Sequence, residues 1–234
     1  MHRTVHGSSG LSARSYFITG TDTGIGKSHA SATLLHALRA QGLRAVGMKP
    51  VASGCEVSAE GLRNEDALLL QAASSPTPAY ADVNPYALHA PLAPELAAAQ
   101  DGVEIALPIL LAAHARLAAQ ADVVVVEGVG GWAAPLSASL DQADLARELG
   151  AAVVLVVGMR LGCINHARLT ARAIAADGLQ LIGWIGNEID PHMDRRDDNF
   201  RLLQQRLDAP CWGRLPYTFQ PEPRHFSHLL NVSK

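Results

Sequence analysis

The chain has 234 residues, of which 48% are hydrophobic, and this is enough apolar material for one domain with a substantial core. Its 19 basic residues nearly balance its 22 acidic ones, for a formal net charge of −3. Because no block of like charge occurs, the composition argues against a nucleic-acid partner and a polybasic membrane patch, and it favours a small-molecule partner. No apolar run reaches the length that crosses a bilayer.

The N-terminus and the cysteines indicate where the protein acts. Residues 1–14 are rich in His, Ser and Gly and lack the apolar stretch of a signal peptide. We interpret them as a flexible extension before a single domain at residues 15–234. Cys55, Cys163 and Cys211 are odd in number and far apart, which is typical of free thiols in a reducing compartment. We therefore expect a cytoplasmic protein.

The sequence predicts alternating strands and helices. Short apolar or β-branched runs bounded by turn residues indicate buried parallel strands, at residues 16–19, 45–48, 123–126, 152–157 and 181–185. Helical patterns follow between them, at residues 29–41, 64–73, 107–120, 140–149, 164–177 and 198–207. The proline-rich residues 74–94 are expected to form an irregular loop, either a lid or an interface. The alternation predicts an α/β fold, in which one parallel β-sheet is flanked by helices on both faces and ligands bind at the carboxyl ends of the strands.

Residues 20–28, GTDTGIGKS, have the pattern of a phosphate-binding loop between a predicted strand and a predicted helix. Glycines let backbone N–H groups converge on phosphates, and the helix adds its positive N-terminal end. Lys27 would reach the outer phosphates, and the Ser28 hydroxyl can bind Mg²⁺. The chain has only three lysines, Lys27, Lys49 and Lys234, against sixteen arginines. Because a compact ammonium fits into such a loop better than a guanidinium, Lys27 and Lys49 are candidate catalytic cations.

Two carboxylates are candidate Mg²⁺ ligands beside a triphosphate. Glu127 ends the strand 123–126 and precedes a glycine-rich segment, so its side chain would emerge at the ligand-binding edge. Asp66 lies at the start of a predicted helix. The alternatives are a solvated strand end for Glu127 and charge complementarity with the helix N-terminus for Asp66.

Five motifs in this order resemble dethiobiotin synthetases, over about residues 16–217. They are residues 20–28, 48–54 (MKPVASG), 61–64 (GLRN), 127–132 (EGVGGW) and 162–167 (GCINHA). The resemblance implies a P-loop NTPase-like domain that catalyses an ATP-dependent ring closure in biotin synthesis. In that family one amine of 7,8-diaminononanoate captures CO₂ as a carbamate and ATP phosphorylates it. The neighbouring amine then displaces phosphate to close a cyclic urea.

The resemblance also implies roles for individual residues, with Mg²⁺ as the cofactor. Lys27 and Lys49 would be catalytic, and Ser28, Asp66 and Glu127 would hold the metal. The residues expected to bind ATP are Gly24, Ile25, Gly26, Lys27, Ser28, His29, Asp66, Glu127, Gly128, Val129, Gly130, Asn187, Glu188, Pro216, Tyr217 and Thr218. The residues expected to bind the diamine are Thr23, Ser53, Gly162, Cys163, Ile164 and Asn165. The last four would come from the second subunit of a homodimer.

Some observations leave alternatives open. Gly24 stands where relatives often carry glutamate, so only its backbone can contribute there. Residues 162–165 could be a plain helix start that Asn165 caps. A cobyrinate amidating enzyme is a rival on the same scaffold, but it needs a glutamine-hydrolysing domain for which this chain has no room. A partition-type ATPase switch is the other rival, and its loop carries a lysine at the position of Asp22.

Overall fold

The computed structural model describes residues 13–219 and 222–232. The strands are β1 (Arg14–Gly20), β2 (Ala45–Met48), β3 (Val51–Ala52), β4 (Glu56–Ser58), β5 (Gly61–Arg63), β6 (Tyr86–Ala87), β7 (Val123–Glu127), β8 (Pro135–Ser137), β9 (Leu140–Asp141), β10 (Ala152–Met159), β11 (Leu181–Glu188) and β12 (Cys211–Leu215). The helices are α1 (Lys27–Ala40), α2 (Glu65–Ala73), α3 (Tyr80–Val83), α4 (Pro94–Asp101), α5 (Leu107–Ala118), α6 (Gln142–Glu148), α7 (Cys163–Ala176), α8 (Arg196–Arg206) and α9 (Pro223–Phe226), followed by a 3₁₀ turn, Ser227–Leu229.

A six-stranded parallel sheet forms the centre of the fold, in the order β12-β11-β10-β1-β7-β2. The predicted α/β architecture is confirmed, and all five predicted strands belong to this sheet. The sixth strand, β12, was not predicted. It lies at the sheet edge, and Gly213 and Arg214 interrupt its apolar residues, so it lacks the continuous apolar run of a central strand.

Helices cover both faces of the sheet, and β7 shows why its sequence is apolar throughout. Val124 and Val126 pack on one face with Leu110 of α5, whereas Val123 and Val125 pack on the other. All four valines are fully buried, and each contributes about 1.5–3 kcal/mol relative to an exposed position. This two-sided burial produces the unbroken Val-Val-Val-Val run and holds Glu127 rigidly at its end.

The six predicted helices all occur, with ends that differ by at most two residues from the expectation. The expectation of an irregular loop at residues 74–94 was wrong in part. This segment contains α3 and β6, and β6 pairs in parallel with β3. Helix α4 was missed because Pro94 was taken as the end of the loop, although proline is common in the first turn of a helix.

The predicted extension falls mostly on residues 1–12, which lie outside the described residues, and Arg14 already begins β1. Within the part of the chain that the structure describes, we find no helix of the length and apolarity that a bilayer crossing needs. The ends of β1, β7 and β2 lie side by side, so the phosphate loop, Glu127 and Lys49 meet at one edge of the sheet.

Candidate active site

The loop between β1 and α1 requires glycine at two positions. Gly24 and Gly26 have φ angles of 70° and 78°, a left-handed conformation that glycine adopts without strain. A Cβ atom on Gly26 would also lie 2.2 Å from Nδ2 of Asn187. That Nδ2 donates a hydrogen bond to the carbonyl of Ile25 at 2.8 Å. The loop is therefore tied to the carboxyl end of β11.

Lys27 begins α1 and is buried within the loop. Its ammonium donates to the carbonyl of Asp22 at 2.9 Å. Burial lowers the pKa of Lys27 from 10.5 to about 8, and the nearby Lys49 adds to this effect. The ammonium and the free N–H groups at the start of α1 together present positive charge to the neighbouring cavity, and such a cradle suits phosphate.

Two carboxylates from different elements bind Lys49, which directly follows β2. Its Nζ donates to Oε1 of Glu127 at 2.5 Å and to Oδ2 of Asp66 at 3.2 Å. The hydroxyl of Ser28 donates to the same Oε1 at 2.8 Å. Glu127 ends β7 and Asp66 lies in the first turn of α2. The pairing of β2 with β7 thus brings together charges that are 78 residues apart in sequence.

The two ion pairs keep Lys49 and Asp66 charged at neutral pH. Burial lowers the pKa of Lys49, but Glu127 and Asp66 outweigh it, and the net shift is upward. Burial raises the pKa of Asp66, but Lys49 and the hydrogen bond from Ser28 outweigh it, and the net shift is downward. Because Glu127 is fully buried, removal of its cationic partner would cost about 3–5 kcal/mol of stability.

The oxygen ligands near Lys49 fit Mg²⁺. Glu127 Oε2 is buried, and it has no hydrogen-bond partner within the described part of the chain. Asp66 is half-buried, and Ser28 lies between the two carboxylates. A hydroxyl and two carboxylates are the hard ligands that Mg²⁺ uses beside substrate phosphates. Among residues 13–219 and 222–232, no cluster of three or more His, Cys, Asp or Glu forms a site made of protein ligands alone.

A cavity of about 960 Å³ opens at this edge of the sheet. It brings together most of the residues predicted around the phosphates and the reacting amines. Those that line it are Thr23, Gly24, Gly26, Lys27, Ser28, His29, Lys49, Ser53, Asp66, Glu127, Val129 and Gly130. Residues 91–94, Leu69 and Glu65 also line it and were not predicted. The prolines at 91 and 94 were interpreted as loop signals, which say nothing about what the loop covers.

The other residues predicted for ATP lie outside this cavity. The side chain of Ile25 is buried in the core, and Gly128 packs against Gln142, whose Oε1 would lie 2.2 Å from a Cβ there. Asn187 and Glu188 end β11 and residues 216–218 follow β12, its neighbour in the sheet. The Glu188 carboxylate already accepts hydrogen bonds from two arginines, Arg196 and Arg214, at 2.6 Å each.

Residues 162–165 form the start of α7, at the end of β10. Gly162 precedes the helix with a φ of 94°, and Cys163 is buried in the core. Asn165 is exposed in the first turn and does not cap the helix, so the interpretation of Asn165 as a cap was wrong. Arg160, just before this segment, binds Asp22 of the phosphate loop at 2.5 Å.

Comparison with known proteins decides the family. A family model described as an AAA domain matches residues 14–223. A relative from Xanthomonas oryzae pv. oryzae (strain PXO99A) is 70% identical, covering 86% of this chain and 90% of its own length. One from Xanthomonas euvesicatoria pv. vesicatoria (strain 85-10) is 70% identical, covering 94% and 98%. One from Xylella fastidiosa (strain 9a5c) is 64% identical, covering 88% and 92%. All three are named ATP-dependent dethiobiotin synthetase BioD. The chain belongs to the dethiobiotin synthetase family.

Solved structures with a similar fold include more distant P-loop proteins. The MinC:MinD cell division complex of Aquifex aeolicus matches with a TM-score of 0.54 at 15% identity, covering 92% of this chain and 85% of that one. MinD from Pyrococcus horikoshii OT3, solved with Mg-ADP, matches with a TM-score of 0.52 at 16% identity, covering 87% and 81%. At these identities the dethiobiotin synthetase chain shares only its fold with them.

Proposed function

We propose that this chain is an ATP-dependent dethiobiotin synthetase, which carboxylates 7,8-diaminononanoate and closes the resulting carbamate to a cyclic urea. The observation that carries the proposal is the Lys49 ammonium, held between Glu127 and Asp66 beside the phosphate loop. A phosphate loop alone would serve any ATPase. A second buried cation next to the phosphate loop can stabilise the negative charge that builds up when phosphate is transferred to an anionic carbamate.

The reaction proceeds in three balanced steps. An amine nitrogen of the substrate attacks CO₂ and loses a proton, which leaves a carbamate anion. A carbamate oxygen attacks the γ-phosphorus of ATP and expels ADP. The second amine attacks the carbamate carbon and loses a proton, the bond from that carbon to the bridging oxygen breaks, and phosphate leaves with this oxygen. ATP thereby converts a poor leaving group into a good one.

The residues of the cavity stabilise the charge that these steps build up. Lys27 contacts the transferred phosphoryl group, and Lys49 contacts the carbamate that receives it. Loss of one such preorganised donor typically costs about 2.7–4 kcal/mol of transition-state stabilisation. Ser28, Asp66 and Glu127 would hold Mg²⁺, which would further neutralise the phosphate oxygens. The position of both ammonium groups and of the Ser28 hydroxyl on the cavity wall supports these roles.

The diamine is oriented by hydroxyl groups. The Ser53 Oγ is buried at the cavity and has no hydrogen-bond partner among the described residues, so it is available to the carbamate. Thr23 also lines the cavity, near Gly130. A buried hydroxyl without a partner is costly unless a ligand satisfies it, which supports a binding role.

The carboxylate tail of the substrate binds at residues 162–165 of a second subunit in a homodimer. Cys163 N–H donates to the carbonyl of Arg160, and the N–H groups after it at the start of α7 provide an anion site. Leu161 and Leu169 flank this helix start and are exposed by 89% and 54%, which supports burial against a partner subunit. The three cysteines are free thiols, and we expect the protein to act in the cytoplasm.

The test is the dependence of ATP hydrolysis on the other substrates. Purified protein with Mg-ATP should release phosphate only when both diaminononanoate and bicarbonate are present, with one dethiobiotin formed per phosphate. Hydrolysis that proceeds without the diamine and responds to DNA would instead support a partition-type switch. Asp22, which stands where that class has lysine, is engaged by Arg160 and favours the synthetase.

A further inference from the structure

The segment between α2 and α4 holds Lys49 by its backbone. The Lys49 N–H donates to the carbonyl of Val83 at 2.7 Å. Nδ2 of Asn84 donates to the carbonyl of Lys49 at 2.8 Å and to that of Tyr86 at 3.1 Å. Asn84 is buried. Both backbone groups of Lys49 are therefore satisfied by two consecutive residues, Val83 and Asn84, which do not line the cavity.

The same segment also holds the helix that carries Asp66. The hydroxyl of Tyr80 donates to Oδ1 of Asn84 at 3.1 Å and accepts from the backbone N–H of Asn64 at 2.8 Å. Oδ1 of Asn64 caps α2 and accepts from the N–H of Asp66 at 3.1 Å. The guanidinium of Arg63 lies 4.2 Å from the centre of the Tyr80 ring. Burial raises the pKa of the Tyr80 hydroxyl, so it stays protonated and can donate to Asn84.

These contacts close a circuit. It runs from the Lys49 carbonyl through Asn84, Tyr80 and Asn64 to Asp66. The ammonium of Lys49 then returns to the Asp66 carboxylate at 3.2 Å. The circuit thus fixes the backbone of Lys49 and its charged end with respect to the same helix.

We propose that Tyr80 and Asn84 are positioning residues for ring closure, which set the place of the Lys49 ammonium relative to Asp66 through this circuit. The proposal rests on the proposed function and adds two residues that contact neither phosphate nor diamine. It also assigns a role to residues 80–84, in the segment expected from sequence to be a lid or an interface. A network in which every buried member is satisfied defines one arrangement, whereas a broken one permits several.

The test removes one hydroxyl from the circuit and a matched hydroxyl outside it. Tyr80→Phe deletes the group that accepts from Asn64 and donates to Asn84. Tyr86→Phe is the control, because its hydroxyl likewise accepts a backbone N–H, that of Ala106 at 2.9 Å, but does not belong to the circuit. Tyr80→Phe loses two part-buried hydrogen bonds and Tyr86→Phe loses one, so both should lower the thermal stability, Tyr80→Phe somewhat more.

The two variants should differ in turnover. Tyr80→Phe should lower kcat by roughly ten- to a hundredfold, because displacement of a reacting group by about 1 Å has effects of this size. Its KM for ATP should stay within about twofold of wild type, since the phosphate loop is untouched. Tyr86→Phe should keep kcat within about twofold.

Two results would overturn the positioning role. One is equal kcat values for the two variants, and the other is a KM for ATP that rises in Tyr80→Phe as much as kcat falls. If Tyr80→Phe does not fold, Asn84→Ser carries the same comparison, because it removes the donor to Lys49. The wild-type enzyme distinguishes the two proposals. No dethiobiotin from wild type refutes the proposed function, whereas wild-type turnover with unimpaired circuit variants refutes only the positioning role.

Discussion

Nucleotide binding should weaken as the pH rises from 7 to 9, because Lys27 loses its proton in this range. Its pKa in the nucleotide-free protein is lowered to about 8, mainly by burial. Bound phosphates favour the ammonium and raise this pKa, so binding takes up a proton. With a pKa of about 8, roughly 90% of the free enzyme carries the charge at pH 7 and roughly 10% at pH 9, so affinity should fall about tenfold, or about 1.4 kcal/mol.

Isothermal titration calorimetry with Mg-ADP in two buffers of different ionisation enthalpy measures both quantities. Proton uptake should be about 0.5 per nucleotide at pH 8, since Lys27 is then half protonated. Burial lowers the pKa of His29, another titratable group beside the loop, so it stays neutral in this window. Lys27→Met is the control and should bind weakly, without a change between pH 7 and pH 9. Wild-type affinity that is constant over this range, without proton uptake, would refute the reasoning.

Three further predictions concern the buried cation and the base. Lys49→Arg should keep the fold and ATP binding but lose turnover by about a hundredfold or more, because the wider guanidinium cannot take the place of the ammonium; near wild-type synthesis would remove Lys49 from the mechanism. Lys49→Met should lower the free energy of unfolding in urea by about 3–5 kcal/mol, because it leaves Glu127 buried without a cation; unchanged stability would show that the pair is not charged. GTP should bind roughly tenfold or more weakly than ATP. Because Nδ2 of Asn187 donates to Ile25, only its Oδ1 remains for the base, and this acceptor fits an amino group on the base rather than a carbonyl. Equal affinities would contradict the Asn187 assignment.

The central strands and the phosphate loop could be predicted because their signals are local. An unbroken run of valines ending in Glu127 has few structural interpretations, and glycines before Lys27 at this spacing indicate a phosphate loop. Lys49 and Glu127 could be placed at one edge of the sheet from the rule that the carboxyl ends of parallel strands lie together. For this reason the main sheet and the residues around the phosphates could be predicted from the sequence.

The remaining features depend on contacts between distant residues, and no local pattern encodes them. Asn84 binds the Lys49 carbonyl from 35 positions away, and the prolines around it indicated only irregular structure. Edge strand β12 carries too few apolar residues for a strand prediction. The pair Asp22–Arg160, at a separation of 138 residues, is likewise visible only in the fold.

The transfer of one oxygen atom tests the central claim most directly. In a single turnover with ¹⁸O-labelled bicarbonate, ATP and diaminononanoate, the carbamate oxygen that attacks the γ-phosphorus must leave with phosphate. Mass spectrometry should therefore find one labelled oxygen in the phosphate for each dethiobiotin formed. Phosphate that carries only oxygen from ATP and water, alongside product formation, would contradict phosphorylation of the carbamate.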